Sequence, residues 1–496
     1  MKKLRIALYA GNMNWGLASI ISALEKNGHT CDVFVHKYET DIIKQIVSFL
    51  PDIVGFSMFT GEHHSTISLM RELRPHLNSI FVVGGIHSIT YPSIIEDEDV
   101  IDAVCTGEGE HPMIQLAHKI ACKEDYLDLE GFWFRKKNEI LKNPLSPLTP
   151  QLDTFGNPNI DIFYDKYDKL KNDPYKTFIL SRGCPYRCSF CYAHIMKAKF
   201  NEKSKKFVRF HDVECTINHI KNTKNKYPLE AIRFADSTFS FNLAHLNKFL
   251  PRLKKEIDLP YLINARFDNL NEKLVKLLKE TGCDRVTLGV ECGNEDYRKN
   301  ILVKNITNEQ VIKGAELLHK YKLRFDTQSM VGLPGETVNN AFETARLNAK
   351  INPSVTRCHI FMPYPGTELG AYAKEKGYLD KNFHYTEIGD AHAQRSSEKN
   401  KAATSFHTDL FAYKSVLKQK NISELCNFKM FFHLLVKYPY LEPIVRILIK
   451  LPKNSLFPFI HNLPRLKQGI KYKEAPLPVL IRDYAKMSIL WSRNKE

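Results

Sequence analysis

Three cysteines, Cys184, Cys188 and Cys191, stand four and three residues apart in the stretch SRGCPYRCSFCYAHI that begins at Ser181. Thiolates spaced in this way converge on a metal centre, and two kinds of centre compete. A structural zinc takes four ligands, commonly as two CxxC pairs. No second pair lies nearby, and His194 is the residue that could complete a Cys₃His set. A cubane iron–sulfur cluster held by three thiolates would instead leave its fourth iron open to a further ligand. Position favours the cluster, because the triplet follows an apolar run, TFILSRG, that reads as the first strand of a βα series. Loops at the carboxyl ends of such strands are where barrel enzymes carry out their chemistry.

The elements that must hold this loop are readable from periodicity. Six strand candidates, TFILSRG, EAIRFADS, YLINAR, DRVTLGVE, RFDTQSMVG and VTRCHIF, alternate with helical segments such as LNEKLVKLLKETG and NEQVIKGAELLHKY. Six units predict a partial (β/α)6 barrel over residues 173–378, since a closed eight-stranded barrel typically needs roughly 250 residues. Residues 1–125 read as a second α/β region. LRIALYA, CDVFVH, DIVGFSM, IFVVGG and IDAVCTG are short apolar runs separated by helical patterns, the mark of a doubly wound, flavodoxin-like parallel sheet. Ligands of such sheets sit beyond the carboxyl ends of the strands. Those ends carry GNMNWG, SMFTGEHHS, GGIHSIT and TGEGE, so Asn14, Ser57, Thr60, Gly84, Gly85, His87, Gly107, Glu108 and Gly109 are candidate cofactor contacts. Between the two regions, residues 126–172 read as a linker with a hairpin in EGFWFRKKNEILKNP and an extended, Pro-rich PLSPLTPQLD.

With 496 residues the chain exceeds one ordinary core, so two or three domains are expected. Eleven scattered cysteines and a start, MKKLRIALYAG, without the pattern of a signal peptide predict reduced thiols in a cytoplasm. The net charge of +16 is uneven, with 20 Lys and Arg against 9 Asp and Glu from Lys381 onward. This basic, mostly helical region, 379–496, suggests an anionic partner or simply a lysine-rich surface. Its run FKMFFHLLVKYPYLEPIVRILIKLP is apolar, but Lys437, Glu442, Arg446 and Lys450 interrupt it and Pro439 and Pro443 break it. It is too interrupted to span a bilayer, which leaves a helical hairpin on the barrel or an interfacial membrane contact.

CxxxCxxC after the first barrel strand, with Phe190 before the third cysteine, resembles the signature of the radical S-adenosylmethionine (SAM) enzymes. ADSTF (235–239), GVECGN (289–294), MVGLPGET (330–337) and MPYPGTEL (362–369) resemble that family's later motifs. PDIVGFS, VVGGIH…YP and TGEGE resemble the cobalamin-binding domain that precedes the barrel in one large subgroup, which includes class B methyltransferases and the anaerobic cyclase of bacteriochlorophyll synthesis. The resemblance covers roughly residues 1–375. It departs from cobalamin domains of the methionine-synthase type, because GNMNWG stands where those have a histidine ligand to cobalt. That leaves the lower face of the cobalt unassigned.

The resemblance implies three cofactors: a [4Fe–4S] cluster on Cys184, Cys188 and Cys191, SAM on its open iron, and cobalamin on the N-terminal loops. SAM contacts fall to Phe190, Asp236, Arg266, Glu291, Gly332 and Gly335. Each has a plainer reading: Asp236 as the cap of the next helix, Glu291 and Arg266 as an ion pair, VGLPGET as an ordinary turn. The implied reaction is methyl transfer from methylcobalamin to a carbon that a 5′-deoxyadenosyl radical has activated, with cyclisation or rearrangement as the alternative. The expected partners are a small or lipid-like substrate, a flavodoxin- or ferredoxin-type electron donor, and a peripheral membrane contact through the basic tail. Methylthiolation of transfer RNA or a protein is disfavoured, since a second cluster would need three suitably placed N-terminal cysteines and Cys31 stands at the wrong end of its strand. A non-catalytic, zinc-stabilised protein whose basic tail binds nucleic acid is the less favoured alternative, because the prolines and aliphatic runs of the tail suit a lipid surface better.

Overall fold

The computed structural model describes residues 2–200, 204–385, 388, 415–452 and 457. They belong to two compact units, one comprising Met1–Ile263, Tyr364–Gly370 and Phe383–Phe411, the other Asn264–Pro363, Ala371–Asn382 and Ala412–Glu496. The polar stretch AHAQRSSEKNKAATS lies outside the described residues.

In the first unit, β1 (Arg5–Ala10), β2 (Thr30–Val35), β3 (Ile53–Ser57), β4 (Ile80–Gly84) and β5 (Ala103–Cys105) form a parallel sheet in the order β2-β1-β3-β4-β5. This is the flavodoxin-like order, and its switch point falls between β1 and β3. Every residue of β3 is buried, as a strand covered by helices on both faces must be. Phe34, Phe56, Met70, Phe81 and Val83 anchor the core on one face. The expected hairpin forms as β6 (Phe132–Lys136) and β7 (Glu139–Lys142), and β6 pairs antiparallel with β5, extending the sheet to seven strands.

Further along the same unit, β8 (Tyr175–Phe178) leads into a two-residue strand, β9 (Ser181–Arg182). β9 pairs antiparallel with β10 (Arg209–Phe210). β11 (Ala231–Phe234) lies parallel to β8 and to the start of β12 (Tyr261–Ala265). The second unit carries β13 (Cys283–Glu291), β14 (Arg324–Val331) and β15 (Val355–Ile360), parallel and with β14 central. Two of its helices, Asn308–Lys320 and Val338–Ile351, begin at capping boxes, Thr307 with Gln310 and Thr337 with Asn340, which satisfy first-turn amides that the helix cannot. All six strand segments expected after residue 173 are strands.

The apolar C-terminal run is a helical hairpin packed on the second unit. Helix Ile422–Lys437 buries Leu425, Phe428, Phe431 and Phe432 against Phe342, Val331 and Ile360. Pro439 opens the turn that follows, and Pro443 sits in the first turn of helix Glu442–Leu448, where its missing amide costs nothing. Among the described residues no helix is long and apolar enough to cross a membrane.

Candidate active site

The cysteine loop begins with a backbone constraint. Gly183 has φ +93°, and a Cβ there would lie 2.5 Å from the carbonyl oxygen of Phe207. Only glycine lets the chain leave β9 in this direction. The loop then closes on itself, with the Cys191 amide donating to the Cys188 carbonyl at 3.0 Å. Cys191 stands at the N-cap of helix Tyr192–Lys199, where the helix dipole favours a thiolate. Cys184 Sγ lies 3.4 Å from Thr238 Oγ1. All three cysteines are half-buried.

A structural zinc needs a fourth ligand beside the three thiols, and the one the sequence offers is His194. His194 is engaged elsewhere, with Nε2 at 2.9 Å from Glu368, which also pairs with Arg187 at 3.0 Å.

Asp236 does not cap the helix after it. Its carboxylate reaches back, accepting from the Leu180 amide at 3.2 and 3.1 Å and from the Ser181 hydroxyl at 2.5 Å. It braces the strand end that feeds the cysteine loop. Burial pushes its pKa up to about 6, against the pull of these hydrogen bonds.

Two ion pairs tie the β9–β10 ribbon to the TGEGE loop of the N-terminal sheet. Arg182, two residues before Cys184, donates to Glu110 at 2.6 Å and to Ser19 at 2.9 Å. Arg209 donates to both oxygens of Glu108, at 2.8 and 2.6 Å. Burial alone would raise the Glu110 carboxyl, yet the Arg182 guanidinium holds it below its ordinary range. Glu108 is thus committed to an arginine, while Gly107 packs near Phe200, whose Cζ would lie 3.1 Å from an added Cβ. Gly109 would meet Ile20 in the same way.

The loops at the β1/β3 switch point also converge. Asn14 accepts from the Leu17 amide as N-cap of helix Trp15–Lys26 and donates to Ser57 Oγ at 2.9 Å. Gly85, with φ +88°, lets the β4 loop pass so close to Met58 that a Cβ would lie 2.9 Å from its backbone N and O. Gly84 is open, its virtual Cβ meeting only Cys105 at 3.8 Å. Thr60 Oγ1 lies 2.9 Å from His87 Nδ1, and the His87 ring stacks on His63 with centroids 4.6 Å apart. Burial first, then the charges of His63 and His64, push the His87 pKa down to about 3. His87 is therefore a neutral imidazole, and its Nε2 is buried without a partner. Open backbone at Gly84 and an unsatisfied ring nitrogen at His87 fit a polar cofactor over these loops.

In the second unit, Arg266 pairs with Asp268 at 3.0 Å through both Nε and Nη2, and Glu291 pairs with Lys304 at 2.9 Å. The expected alternative, a Glu291–Arg266 ion pair, does not form. Glu291 has φ +63° at the irregularity that ends the β13–β14 register, a left-handed conformation costly for a side-chain-bearing residue. Gly332 and Gly335, with φ +74° and +76°, shape the turn after β14. Glu336 closes that turn, and burial pushes its pKa up to about 8.

Sequence reading missed Arg182, Arg209, Glu110, Thr238 and Gln419. A two-residue ribbon has no periodicity, and an ion pair between residues 72 positions apart leaves no local mark. Glu336 stood in plain view inside MVGLPGET.

These two halves find counterparts among known proteins. The B12 binding domain family model matches residues 5–117 and the Radical SAM superfamily model residues 178–347, together more than half of the chain. The chain belongs to the radical SAM superfamily, in the group whose barrel follows a B12-binding domain. It is a radical SAM enzyme whose cofactors are a [4Fe–4S] cluster, SAM and cobalamin. An uncharacterized methyltransferase of Pyrococcus horikoshii is 29% identical over 338 residues, 67% of this chain and 72% of its own. The anaerobic magnesium-protoporphyrin IX monomethyl ester cyclase of Rubrivivax gelatinosus is 25% identical over 72% of this chain and 66% of its own. The solved structure of the radical SAM methyltransferase TsrM from Kitasatospora setae, with tryptophan substrate and a SAM analog bound, shares the fold. Its TM-score is 0.62 at 17% identity, over 75% of this chain and 76% of its own.

Proposed function

We propose that this enzyme transfers a methyl group from methylcobalamin to an unactivated carbon of a small or lipid-like molecule. SAM, when bound and cleaved, would supply the 5′-deoxyadenosyl group that removes the hydrogen from that carbon. When bound, the cluster would supply the electron that cleaves one SAM, and the corrinoid would supply the methyl group, which a second SAM would replace, leaving as S-adenosylhomocysteine. Cys184, Cys188 and Cys191 hold the cluster, and Thr238 offers its hydroxyl to the Cys184 sulfur. Asp236 fixes the strand end through Leu180 and Ser181, so the loop meets the cluster without rearranging. Phe190, Arg266, Glu291, Gly332 and Gly335 serve SAM. Asn14, Ser57, Thr60, Gly84, Gly85, His87 and Gly107–Gly109 serve the corrinoid, with Glu108 acting through Arg209.

One observation carries the two-cofactor reading. The Arg182–Glu110 and Arg209–Glu108 pairs join the corrinoid loop to the ribbon entering the cysteine loop, which supports two reaction centres working on one substrate. A flavodoxin- or ferredoxin-type donor would supply the electron. Tyr440, Ile444, Ile447 and Leu451, exposed at helical spacing beside Lys437 and Lys450, support a lipid-like substrate or a peripheral lipid contact.

The test is anaerobic reconstitution with iron, sulfide and cobalamin, followed by reductant and SAM. Methyl transfer predicts about four irons and one cobalt per chain, and release of both 5′-deoxyadenosine and S-adenosylhomocysteine with a candidate substrate. Release of 5′-deoxyadenosine alone moves the assignment to the cyclisation chemistry that the Rubrivivax relative is named for. Cys188→Ala should retain cobalamin and lose both the iron and the nucleoside product.

A further inference from the structure

The turn after β14 is held by side chains rather than by regular structure. Glu336, 1% exposed, folds back so that Oε2 accepts from the amides of Gly332 at 2.6 Å and Leu333 at 3.0 Å. From far along the chain, Gln419 Oε1 accepts from the Gly335 amide at 2.9 Å, and Asn421 Nδ2 donates to the Glu336 carbonyl at 2.8 Å. The segment bearing Gln419 is itself anchored, since the Lys418 amide donates to the Tyr378 carbonyl at 2.7 Å. The Tyr378 hydroxyl would lie 2.8 Å from a Cβ on Gly335, and Ile422 Cδ1 3.4 Å from one on Gly332. Two left-handed glycines, whose amides have no strand or helix partner, thus owe their conformation to one internal carboxyl and one distant amide side chain.

We infer that Gln419 is a positioning residue for SAM. By fixing the Gly335 amide it sets the backbone surface that the turn presents, and segment 417–422 is then a working part of the cofactor site and not only a cover. Residues 417–422 lie beyond the stretch that the Radical SAM model matches. A purely structural staple would predict loss of stability and of iron together. A positioning role predicts loss of SAM affinity with the cluster intact. The inference rests on reading Gly332 and Gly335 as SAM contacts, so the experiment must separate the two.

The full-length, anaerobically reconstituted enzyme would be compared as wild type, Gln419→Ala, Gln419→Glu and Gly335→Ala. The readouts are SAM affinity by equilibrium dialysis, iron per chain, melting temperature, and KM against kcat for 5′-deoxyadenosine release. Freeing the Gly335 amide, whose bond to Gln419 is part-buried, predicts a SAM Kd raised roughly five- to twentyfold in Gln419→Ala, with iron unchanged and KM moved more than kcat. Gln419→Glu, which keeps an oxygen for the Gly335 amide, should stay within about threefold of wild type. If Gly335→Ala weakens SAM but Gln419→Ala does not, the positioning role is wrong and the turn assignment stands. If neither changes Kd, the turn does not meet SAM and both fall. Loss of iron in Gln419→Ala, or a Glu variant no better than Ala, also overturns the positioning role.

Discussion

Glu336→Gln should make the protein more resistant to alkali than the wild type. The carboxyl is enclosed, with two amides on Oε2 and no partner for Oε1. Burial raises its pKa from 4.5 to about 8, while the Leu333 and Gly332 amides pull the other way. Because the folded value lies above the unfolded one, the fold favours the protonated acid. Its contribution is complete below about pH 4.5 and is lost as pH rises toward 8. Each pH unit in that window is worth about 1.4 kcal/mol. Between pH 6 and 8 the wild type should therefore lose on the order of 2–3 kcal/mol relative to the glutamine variant, which keeps an oxygen for both amides and cannot ionise. Urea unfolding of both proteins without SAM, anaerobically at pH 6, 7 and 8, reads this as a widening gap between midpoints. A gap that stays constant, or that closes as pH rises, would refute the reasoning, since the carboxylate would then be ionised and compensated within the fold.

Three further outcomes follow from the same kind of argument. Arg182→Met strands the buried Glu110 carboxylate and should cost about 3–5 kcal/mol, whereas the double variant with Glu110→Gln recovers most of it, as a double-mutant cycle of melting temperatures would read. Gly85→Ala forces a side chain into a φ of +88° beside the Met58 backbone, and should lower cobalamin retained after gel filtration while leaving iron per chain unchanged. Phe428→Ala opens a cavity under the C-terminal helix, and denaturant unfolding should show a loss of about 3–5 kcal/mol.

Much of this molecule could be read from its sequence wherever a pattern repeats locally. The five N-terminal strands and the six later ones announced themselves as apolar runs, and the cysteine triplet by spacing alone. Contacts made at long range did not. Asp236 reads as a helix cap because Asp before a helix usually is one, yet its partners are Leu180 and Ser181, 56 and 55 residues back. Glu291 and Arg266 each end a strand and carry opposite charge, but Lys304 and Asp268 lie closer and take them. The hairpin was legible as two strands, while its place at the sheet edge depended on β5, which no turn signal encodes. Gln419 has no motif around it at all.

The brace on the cysteine loop also sets an order of events during biosynthesis. Glu368, which holds Arg187 and His194, and the Leu369 amide, which donates to the Ser189 carbonyl at 2.9 Å, are read by the ribosome long after Cys191. At roughly 5–20 residues per second, the thiols wait on the order of ten to forty seconds before this clasp can form. In that interval the loop lacks the contacts from Glu368 and Leu369 that later hold it. A nascent chain halted before residue 364 would display all three cysteines and neither Glu368 nor Leu369, which shut the loop behind them.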